Sequence, residues 1–206
     1  MNPLIEQAQT LFDLTLSREQ AEQFDTYARL LYEWNQRMNL TKIIEPEDVR
    51  VRHFLDSLSI VTVIGFDAGD RVIDVGTGAG FPGLPLAIAF PELQVTLLDS
   101  TQKKLRFLDT VATELGLANV TTLHGRAEDM GQSDTHRGQY DVVTARAVAL
   151  LPTLLEYTLP LAKIGGFVIA MKGESAEREV EEAKRALFVL KAEAMPVASI
   201  QLPDVE

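Results

Sequence analysis

The spacing of apolar residues changes near residue 70 and divides the chain into two parts. Upstream, apolar side chains recur at helical spacing, and one such face consists of Phe24, Tyr27, Leu31, Trp34 and Met38. A Ser-Arg-Glu-Gln capping box at residues 17–20 predicts the start of this helix. We expect its aromatic face to be core packing, and we expect Pro46 to begin another helix over residues 47–63. Residues 4–65 are therefore predicted to be helical.

Short apolar runs alternate with helical patterns from Asp70 onward. Strands are predicted at 71–75, 94–99, 119–124, 140–145 and 165–171, with helices at about 83–90, 101–116, 150–163 and 174–191. This alternation indicates an α/β fold of the Rossmann-like type, a mostly parallel sheet with helices on both faces. Residues 195–202 are predicted to add an antiparallel strand. We expect residues 1–65 to form an N-terminal helical extension and residues 66–206 to form the α/β domain.

Composition narrows the functional classes. Hydrophobic residues make up 46% of the chain, which argues against disorder, and the absence of cysteine excludes disulfides and thiolate chemistry. No apolar run reaches membrane-spanning length and no signal peptide is visible, so we expect a cytoplasmic protein with no membrane partner. The net charge of −11 argues against nucleic-acid binding by the whole surface. A local basic site remains open, with Arg50, Arg52, Arg126, Arg146 and Lys172 either contributing to it or lying scattered on the surface.

The most informative segment is Val-Ile-Asp-Val-Gly-Thr-Gly-Ala-Gly-Phe-Pro-Gly at residues 72–83. Its glycines Gly76, Gly78 and Gly80 occupy alternate positions, where the lack of a Cβ allows sharp turns and close approach to a ligand. The next predicted strand ends at Asp99, about 20 residues further on, where nucleoside-binding α/β folds hold a ribose. Together these features predict an adenosine-containing cofactor.

Two cofactors compete for this site. Residues 78–83 match the dinucleotide fingerprint G-x-G-x-x-G. However, Asp74 stands two residues before Gly76 and completes D-x-G-x-G-x-G, the glycine pattern of Rossmann-like methyltransferases. A carboxylate there can face the cationic methionine end of S-adenosylmethionine but would repel a pyrophosphate. Pro82 and Pro85 also remove N–H donors that a pyrophosphate needs, so we favour S-adenosylmethionine.

Missing residues restrict the methyl acceptor. Without cysteine the chain cannot attack C6 of a pyrimidine, which excludes the usual route to 5-methylcytosine. Residues 144–148 read Thr-Ala-Arg-Ala-Val and lack the Asn/Asp-Pro-Pro-aromatic tetrad by which enzymes that methylate exocyclic amines resemble one another. An acceptor that needs no deprotonation, such as guanine N7, is consistent with both absences. Catalysis would then depend on alignment and desolvation rather than on a general base.

Motifs spread over residues 30–175 match one family. They are Trp34-Asn35, Asn39-Leu40-Thr41, Arg52-His53, Asp56-Ser57, residues 74–83, Leu97-Leu98-Asp99-Ser100 with Lys103, Phe107-Leu108, Arg126-Ala127-Glu128, Ala145-Arg146-Ala147 and Met171-Lys172-Gly173. On these residues the chain resembles the bacterial 16S ribosomal RNA guanine-N7 methyltransferases, also called the glucose-inhibited division protein B family. The N-terminal motifs and the glycine motif together are specific, whereas the glycine motif alone indicates only a methyltransferase.

The resemblance implies S-adenosylmethionine as methyl donor and S-adenosylhomocysteine as product. It implies a guanine in the 530 loop of 16S rRNA as acceptor, presented within the 30S subunit or its precursor. We expect a monomer. We expect no metal, because three histidines and no cysteine provide no ligand cluster.

The resemblance also assigns site residues. The predicted cofactor-binding residues are Asp74, Gly76, Gly78, Gly80, Phe81, Asp99, Ala127, Glu128 and Arg146. Arg146 and Arg126 are the predicted catalytic residues, and the predicted RNA-binding residues are Arg52, His53, Arg126 and Lys172. Structural alternatives remain open: an ion pair of Arg126 with Glu128 or Asp129, a packing role for His53 with Asp56 as its partner, and a surface position for Lys172.

Two functional alternatives also remain: a small-molecule methyltransferase with the same cofactor site, and a non-catalytic RNA-binding regulator. The chain departs from the family at its end. Members usually finish with a strand of the form Arg-x-Leu-Val-Val-Ile, and this sequence reads Pro-Asp-Val-Glu at residues 203–206 without it. We therefore expect the last strand to be missing and a sheet edge to be exposed.

Overall fold

The structure, a computed structural model, describes residues 2–203. Residues 204–206, on which the expected truncation falls, lie outside the described residues. The α-helices are α1 (Pro3–Phe12), α2 (Arg18–Asn35), α3 (Pro46–Val49), α4 (Asp56–Leu58), α5 (Gly83–Ala89), α6 (Gln102–Glu114), α7 (Ala127–Met130), α8 (Leu151–Thr158), α9 (Ala176–Glu182) and α10 (Lys184–Leu190). A π-helical turn covers Arg50–Leu55, and 3-10 segments cover Ser59–Thr62 and Leu159–Leu161. The strands are β1 (Arg71–Val75), β2 (Gln94–Asp99), β3 (Val120–His124), β4 (Tyr140–Arg146) and β5 (Ala162–Met171).

The strand β1 lies at the centre of a parallel sheet with the order β3-β2-β1-β4-β5. Its last residue, Val75, pairs in register with Leu98 of β2 and with Ala145 of β4. The chain moves outward from β1 through β2 to β3 and then returns to place β4 on the other side. Because ligands of open α/β sheets bind where the strand order reverses, the carboxyl ends of β1 and β4 are the expected site.

Helices cover both faces of the sheet, as predicted. On one face, α2, α5, α6 and the helical turns after Pro46 share a hydrophobic cluster that includes the buried Phe24, Tyr27, Leu31 and Phe107. On the other face, α8 and the last helices pack against a second cluster. Phe24, Tyr27 and Leu31 of the predicted helical face are therefore confirmed as core, and Trp34 packs against the cluster partly buried, whereas Met38 lies beyond the end of α2 and outside the cluster. The first cluster joins the extension to the α/β part without a break.

Side chains of α2 also close the ends of neighbouring helices. The capping box predicted for α2 is present. The same Gln20 side chain donates to the carbonyls of Ile88 at 2.8 Å and Ala89 at 2.9 Å, and Gln23 donates to Leu115 O at 2.8 Å. These carbonyls end α5 and α6, where the helix leaves acceptors without partners, so α2 fixes the extension to the domain.

One predicted element is wrong. Residues 192–203 contain no helix or strand, so the antiparallel strand expected at 195–202 does not form. Residues 195–201 are exposed and bury no apolar face, and Pro196 has no N–H to donate to a ladder. Within the described residues, β5 is an edge of the sheet. No helix in residues 2–203 combines the length and the apolar character that a membrane crossing requires.

Candidate active site

The loop after β1 turns sharply at its glycines. Gly76, Gly78 and Gly80 have φ values of 66°, 61° and 104°, in the region that side chains disfavour. A Cβ at Gly80 would lie 2.6 Å from Leu84 Cδ1 and 2.7 Å from Tyr27 Oη. Backbone conformation and close packing therefore both require glycine at this position.

Asp74 lies beneath this loop. Its carboxylate accepts hydrogen bonds from Thr77 Oγ1 at 2.6 Å, Gly83 N at 3.0 Å and Thr144 Oγ1 at 3.1 Å, and the residue has no exposed surface. Burial raises the pKa of Asp74 to about 6, although the three hydrogen bonds oppose this shift. The carboxylate thus ties the loop to β4, and its predicted position opposite the methionine end of the cofactor stays a prediction.

The raised pKa of Asp74 predicts a pH dependence of stability. Its pKa in the folded protein exceeds the ordinary 3.8, so the folded state binds more protons than the unfolded state up to about pH 6. The contribution of Asp74 to the free energy of unfolding should therefore fall as the pH rises from 4 to 6 and then level off. Urea unfolding of wild type and Asp74→Asn across this range measures it, since only wild type has this titration. A wild-type-minus-variant difference that does not change with pH would contradict the prediction.

Asp99 at the end of β2 holds the other side of the loop. One carboxylate oxygen accepts the N–H of Gly78 at 3.0 Å and the other accepts the N–H of Thr101 at 2.8 Å. Lys104 Nζ lies 3.5 Å from Asp99 Oδ2. A carboxylate has about four lone-pair positions, so acceptor capacity remains for further donors.

Arg146, the last residue of β4, joins the sheet to the extension. Its Nη1 donates to Asp56 Oδ2 at 2.7 Å and to Arg52 O at 3.2 Å, and its Nη2 donates to His53 Nδ1 at 3.1 Å. The guanidinium carbon lies 5.0 Å from the centre of the Phe81 ring, a cation–π distance. Arg146 thus lies at the reversal of strand order, beside the glycine loop.

His53 is neutral and has a defined tautomer. Burial, and after it the charge of Arg146, together lower the pKa of His53 from 6.5 to about 4. Because a guanidinium only donates, Nδ1 must accept, which leaves the proton on Nε2. Nε2 lies 2.9 Å from Thr41 Oγ1, and the ring stacks on Phe81 with centroids 4.3 Å apart. The expected partner of His53, Asp56, bonds Arg146 instead because the carboxylate is a better match for the guanidinium than for a neutral imidazole.

Arg126 lies at the same carboxyl edge of the sheet as Arg146, but after β3 rather than after β4. It precedes α7, its side chain is 66% exposed, and its Nη2 lies 3.1 Å from Glu128 Oε1. Two strands, β2 and β1, separate β3 from β4, which places the ends of β3 and β4 about 14 Å apart. The ion pair of Arg126 with Glu128, given as the structural alternative, is present. Ala127 is the first residue of α7. An RNA or catalytic role for Arg126 stays a prediction.

The other candidate cations already have partners. Lys172 Nζ lies 2.8 Å from Glu179 Oε2, and Lys172, with hydrogen bonds from Ser175 and Leu151 N, lowers the pKa of Glu179 to about 2. Arg52 Nε lies 2.9 Å from Asp48 Oδ1, with its side chain 53% exposed, and Arg50 bonds Gln7 and Glu47. The cations therefore do not form one cluster. Arg52 contacts Arg146 through its main-chain oxygen, while its half-exposed side chain pairs with Asp48.

Two contributors were not predicted from the sequence. Tyr27, predicted to be core, also donates from its hydroxyl to Ala79 O at 2.5 Å and stacks on Phe81 at 5.4 Å, so α2 supports the glycine loop directly. Thr144 bonds Asp74 from β4. Their positions in a helical stripe and in a strand signalled burial, but no local pattern signalled a hydrogen bond to the loop.

This fold and site define the class of Rossmann-like methyltransferases: a parallel sheet with a glycine turn after its central strand and an acid ending the neighbouring strand. The family model of GidB, rRNA small subunit methyltransferase G, matches residues 20–205. The chain is 51% identical over 192 residues to the ribosomal RNA small subunit methyltransferase G of Streptococcus pyogenes serotype M49. That match covers 92% of this chain and 81% of the relative. The chain therefore belongs to the rRNA small subunit methyltransferase G family, which confirms the resemblance found in its sequence.

Solved structures with low sequence identity share the fold. A Corynebacterium glutamicum protein matches with a TM-score of 0.58 at 17% identity, covering 86% of each chain. A SAM-dependent methyltransferase from Aquifex aeolicus matches with a TM-score of 0.55 at 18% identity, covering 79% of this chain and 91% of that one. These matches confirm the predicted fold class.

Proposed function

We propose that this chain transfers a methyl group from S-adenosylmethionine to N7 of a guanine in the 530 loop of 16S rRNA. The observation that carries the proposal is membership of the rRNA small subunit methyltransferase G family over nearly the whole chain. The choice of N7 is supported by the chemistry of the residues at the carboxyl ends of β1 and β4.

The loop and its neighbours are suited to the cofactor. A Cβ at Gly78 would meet nothing closer than Gly76 O at 3.8 Å, so the main chain there is open to a ligand. Asp99 retains lone pairs for ribose hydroxyls, and Ala127 and Glu128 at the start of α7 would contact the adenine. When bound, S-adenosylmethionine supplies an electrophilic methyl group on a sulfonium. The loop main chain, Asp99 and the start of α7 would hold it.

The contacts around Arg146 support a role in positioning an acceptor rather than in deprotonating one. The lone pair of His53 at Nδ1 accepts from Arg146, and its Nε2 proton faces Thr41. The Asp56 carboxylate is paired with Arg146. With its candidate bases engaged, the cluster suits an acceptor that has a free lone pair and no proton to lose, and guanine N7 is such an acceptor. The rate would come from alignment and exclusion of water.

The acceptor is proposed to be presented by the 30S subunit or its precursor, with the enzyme acting as a monomer in the cytoplasm. A chain with net charge −11 gains little from general attraction to phosphates. Local shape and a few arginines, Arg52 among them, would then select the RNA.

Methyl transfer from labelled S-adenosylmethionine tests the proposal. Small subunits from cells lacking the native enzyme should become labelled. Asp99→Ala should weaken cofactor binding by about 10- to 100-fold, because losing even one charge-assisted hydrogen bond to the ribose costs about 1.5–3 kcal/mol. Titration calorimetry measures the binding. Retained cofactor affinity in Asp99→Ala would contradict the assigned cofactor site.

The same assay separates the alternatives. A small-molecule methyltransferase predicts labelled metabolites and no loss of activity on replacement of Arg52 or Arg126. A regulator predicts RNA binding that is indifferent to S-adenosylmethionine and to Asp99→Ala. Labelled 30S subunits with cofactor-dependent activity exclude both.

A further inference from the structure

Arg146 is held by three acceptors that all come from one short stretch of the helical extension. They are the main-chain oxygen of Arg52, Nδ1 of His53 and the carboxylate of Asp56. We propose that His53 and Asp56 are positioning residues for methyl transfer, which act by fixing the guanidinium of Arg146 at the carboxyl end of β4. This inference rests on the proposed function, and it assigns to the helical extension a role in catalysis.

The three acceptors fix the orientation of Arg146 as well as its position. A guanidinium is planar and donates in fixed directions, so separate contacts at Nη1 and Nη2 determine the plane of the group. The Phe81 ring lies beneath the guanidinium at 5.0 Å and the His53 ring stacks on the same Phe81. With 18% of its side chain exposed, Arg146 retains a surface through which a ligand can contact it.

Two unfavourable backbone conformations meet at this contact. The acceptors lie in or directly after the π-helical turn Arg50–Leu55, a rare conformation that is frequent at functional sites. On the other side, Ala147 directly follows Arg146 and has a φ of 56°, which costs a residue with a side chain about 1–2 kcal/mol. Such conformations persist only where the surrounding structure maintains them. Both conformations adjoin the contact that holds Arg146, as expected if this contact is functional.

His53 extends the contact to the loop before α3. Its Nε2 proton faces Thr41 Oγ1, which also accepts the N–H of Ile43 at 3.0 Å. Asn35 at the end of α2 accepts the N–H groups of Leu40 and Thr41 at 2.8 and 3.0 Å. A hydrogen-bonded path therefore runs from the end of α2 through Thr41 and His53 to Arg146. With its proton on Nε2, His53 can bond Thr41 and Arg146 at the same time, and it therefore connects the loop before α3 to the guanidinium of Arg146.

A positioning role of Asp56 can be distinguished from a purely structural role by its effect on kcat. If Asp56 acts through Arg146, then Asp56→Asn should lower kcat by about 10- to 100-fold in wild type, the scale of a misplaced group. In an Arg146→Lys background the same change should have almost no effect. The KM for S-adenosylmethionine should be unchanged by Asp56→Asn. His53→Phe keeps an aromatic ring beside Phe81 but removes the acceptor, and it should behave like Asp56→Asn.

The experiment is a double-mutant cycle measured as kcat on 30S subunits. The matched control is Asp141→Asn, which makes the same change in a carboxylate paired with Lys163 at 2.7 Å near the start of β4. It should leave kcat unchanged. Equal effects of Asp56→Asn in both backgrounds would overturn the proposal, as would a loss confined to thermal stability.

A second readout does not depend on activity. The chain has three histidines, so nitrogen NMR can assign their tautomers. His53 should carry its proton on Nε2. In wild type, rotation of the Arg146 guanidinium should be slow enough to give separate NMR signals for its nitrogens, and in Asp56→Asn faster rotation should average these signals. A proton on Nδ1, or guanidinium signals unchanged by Asp56→Asn, would overturn the positioning role. If wild type shows these signals but labels no 30S subunit, the proposed function fails and the contact to Arg146 stands.

Discussion

Arg146→Lys is expected to lower kcat for methyl transfer by about 10²- to 10³-fold, with a much smaller effect on the affinity for S-adenosylmethionine, for which Arg146 is one of several predicted contacts and lysine keeps the charge. Lysine keeps the charge but carries its three donors on one nitrogen at the end of a flexible chain, so it cannot reproduce the separate Nη1 and Nη2 contacts to Arg52 O, His53 and Asp56. The rate loss then reports orientation rather than charge. Single-turnover transfer to 30S subunits measures kcat, and calorimetry measures cofactor binding.

The control for this variant is Arg29→Lys on α2. Arg29 forms an exposed ion pair with Glu33 at 2.8 Å, far from the glycine loop in sequence and open to solvent. Exposed pairs of this kind contribute little, so activity should not change. A rate for Arg146→Lys equal to that of Arg29→Lys would remove Arg146 from the mechanism.

Gly80→Ala is expected to destabilise the fold by about 2–5 kcal/mol and to abolish cofactor binding. The left-handed backbone conformation accounts for about 1–2 kcal/mol of this and overpacking for about 1–3 kcal/mol. The added Cβ would lie 2.7 Å from Tyr27 Oη and 2.6 Å from Leu84 Cδ1. The glycine loop or α2 must move to remove this clash, and either movement disturbs the main chain that faces the cofactor.

The matched control is Gly69→Ala. Gly69 also has a positive φ, of 89°, but a Cβ there would meet nothing within 4 Å. Gly69→Ala should lower the free energy of unfolding only by the cost of the backbone conformation, about 1–2 kcal/mol, and should retain cofactor binding. Urea unfolding and cofactor titration of both variants measure the difference. Equal destabilisation would contradict the role assigned to the contact between α2 and the loop.

The sheet was predictable because its strands are local features. The apolar runs 71–75 and 94–99 have strand length and lie between turn residues, and the structure places strands at the same bounds. The single turn α7 was missed because four residues contain no helical period. The π-helical turn was missed because one turn does not distinguish its spacing from that of an α-helix. The strand predicted at 195–202 does not form, because no strand among the described residues pairs with this mostly exposed segment.

Parts of the candidate site followed from topology. The glycine loop and Asp99 were expected together because parallel strands bring their carboxyl ends to one edge. The contact of Arg146 with Asp56 spans 90 residues of sequence, and no local pattern specifies it. Asp74 accepts a hydrogen bond from Thr144, which lies 70 residues away in sequence, so the sequence predicted the importance of Asp74 but not its surroundings.

The most direct test of the central claim is to locate the methyl group. Wild-type protein and labelled S-adenosylmethionine are incubated with 30S subunits from cells lacking the native enzyme, and the product is mapped by strand scission specific for N7-methylguanine. The predicted result is scission at a single guanine of the 530 loop, absent without cofactor. Label at another position or another atom, or no label on subunits or naked rRNA despite cofactor binding, would contradict the account.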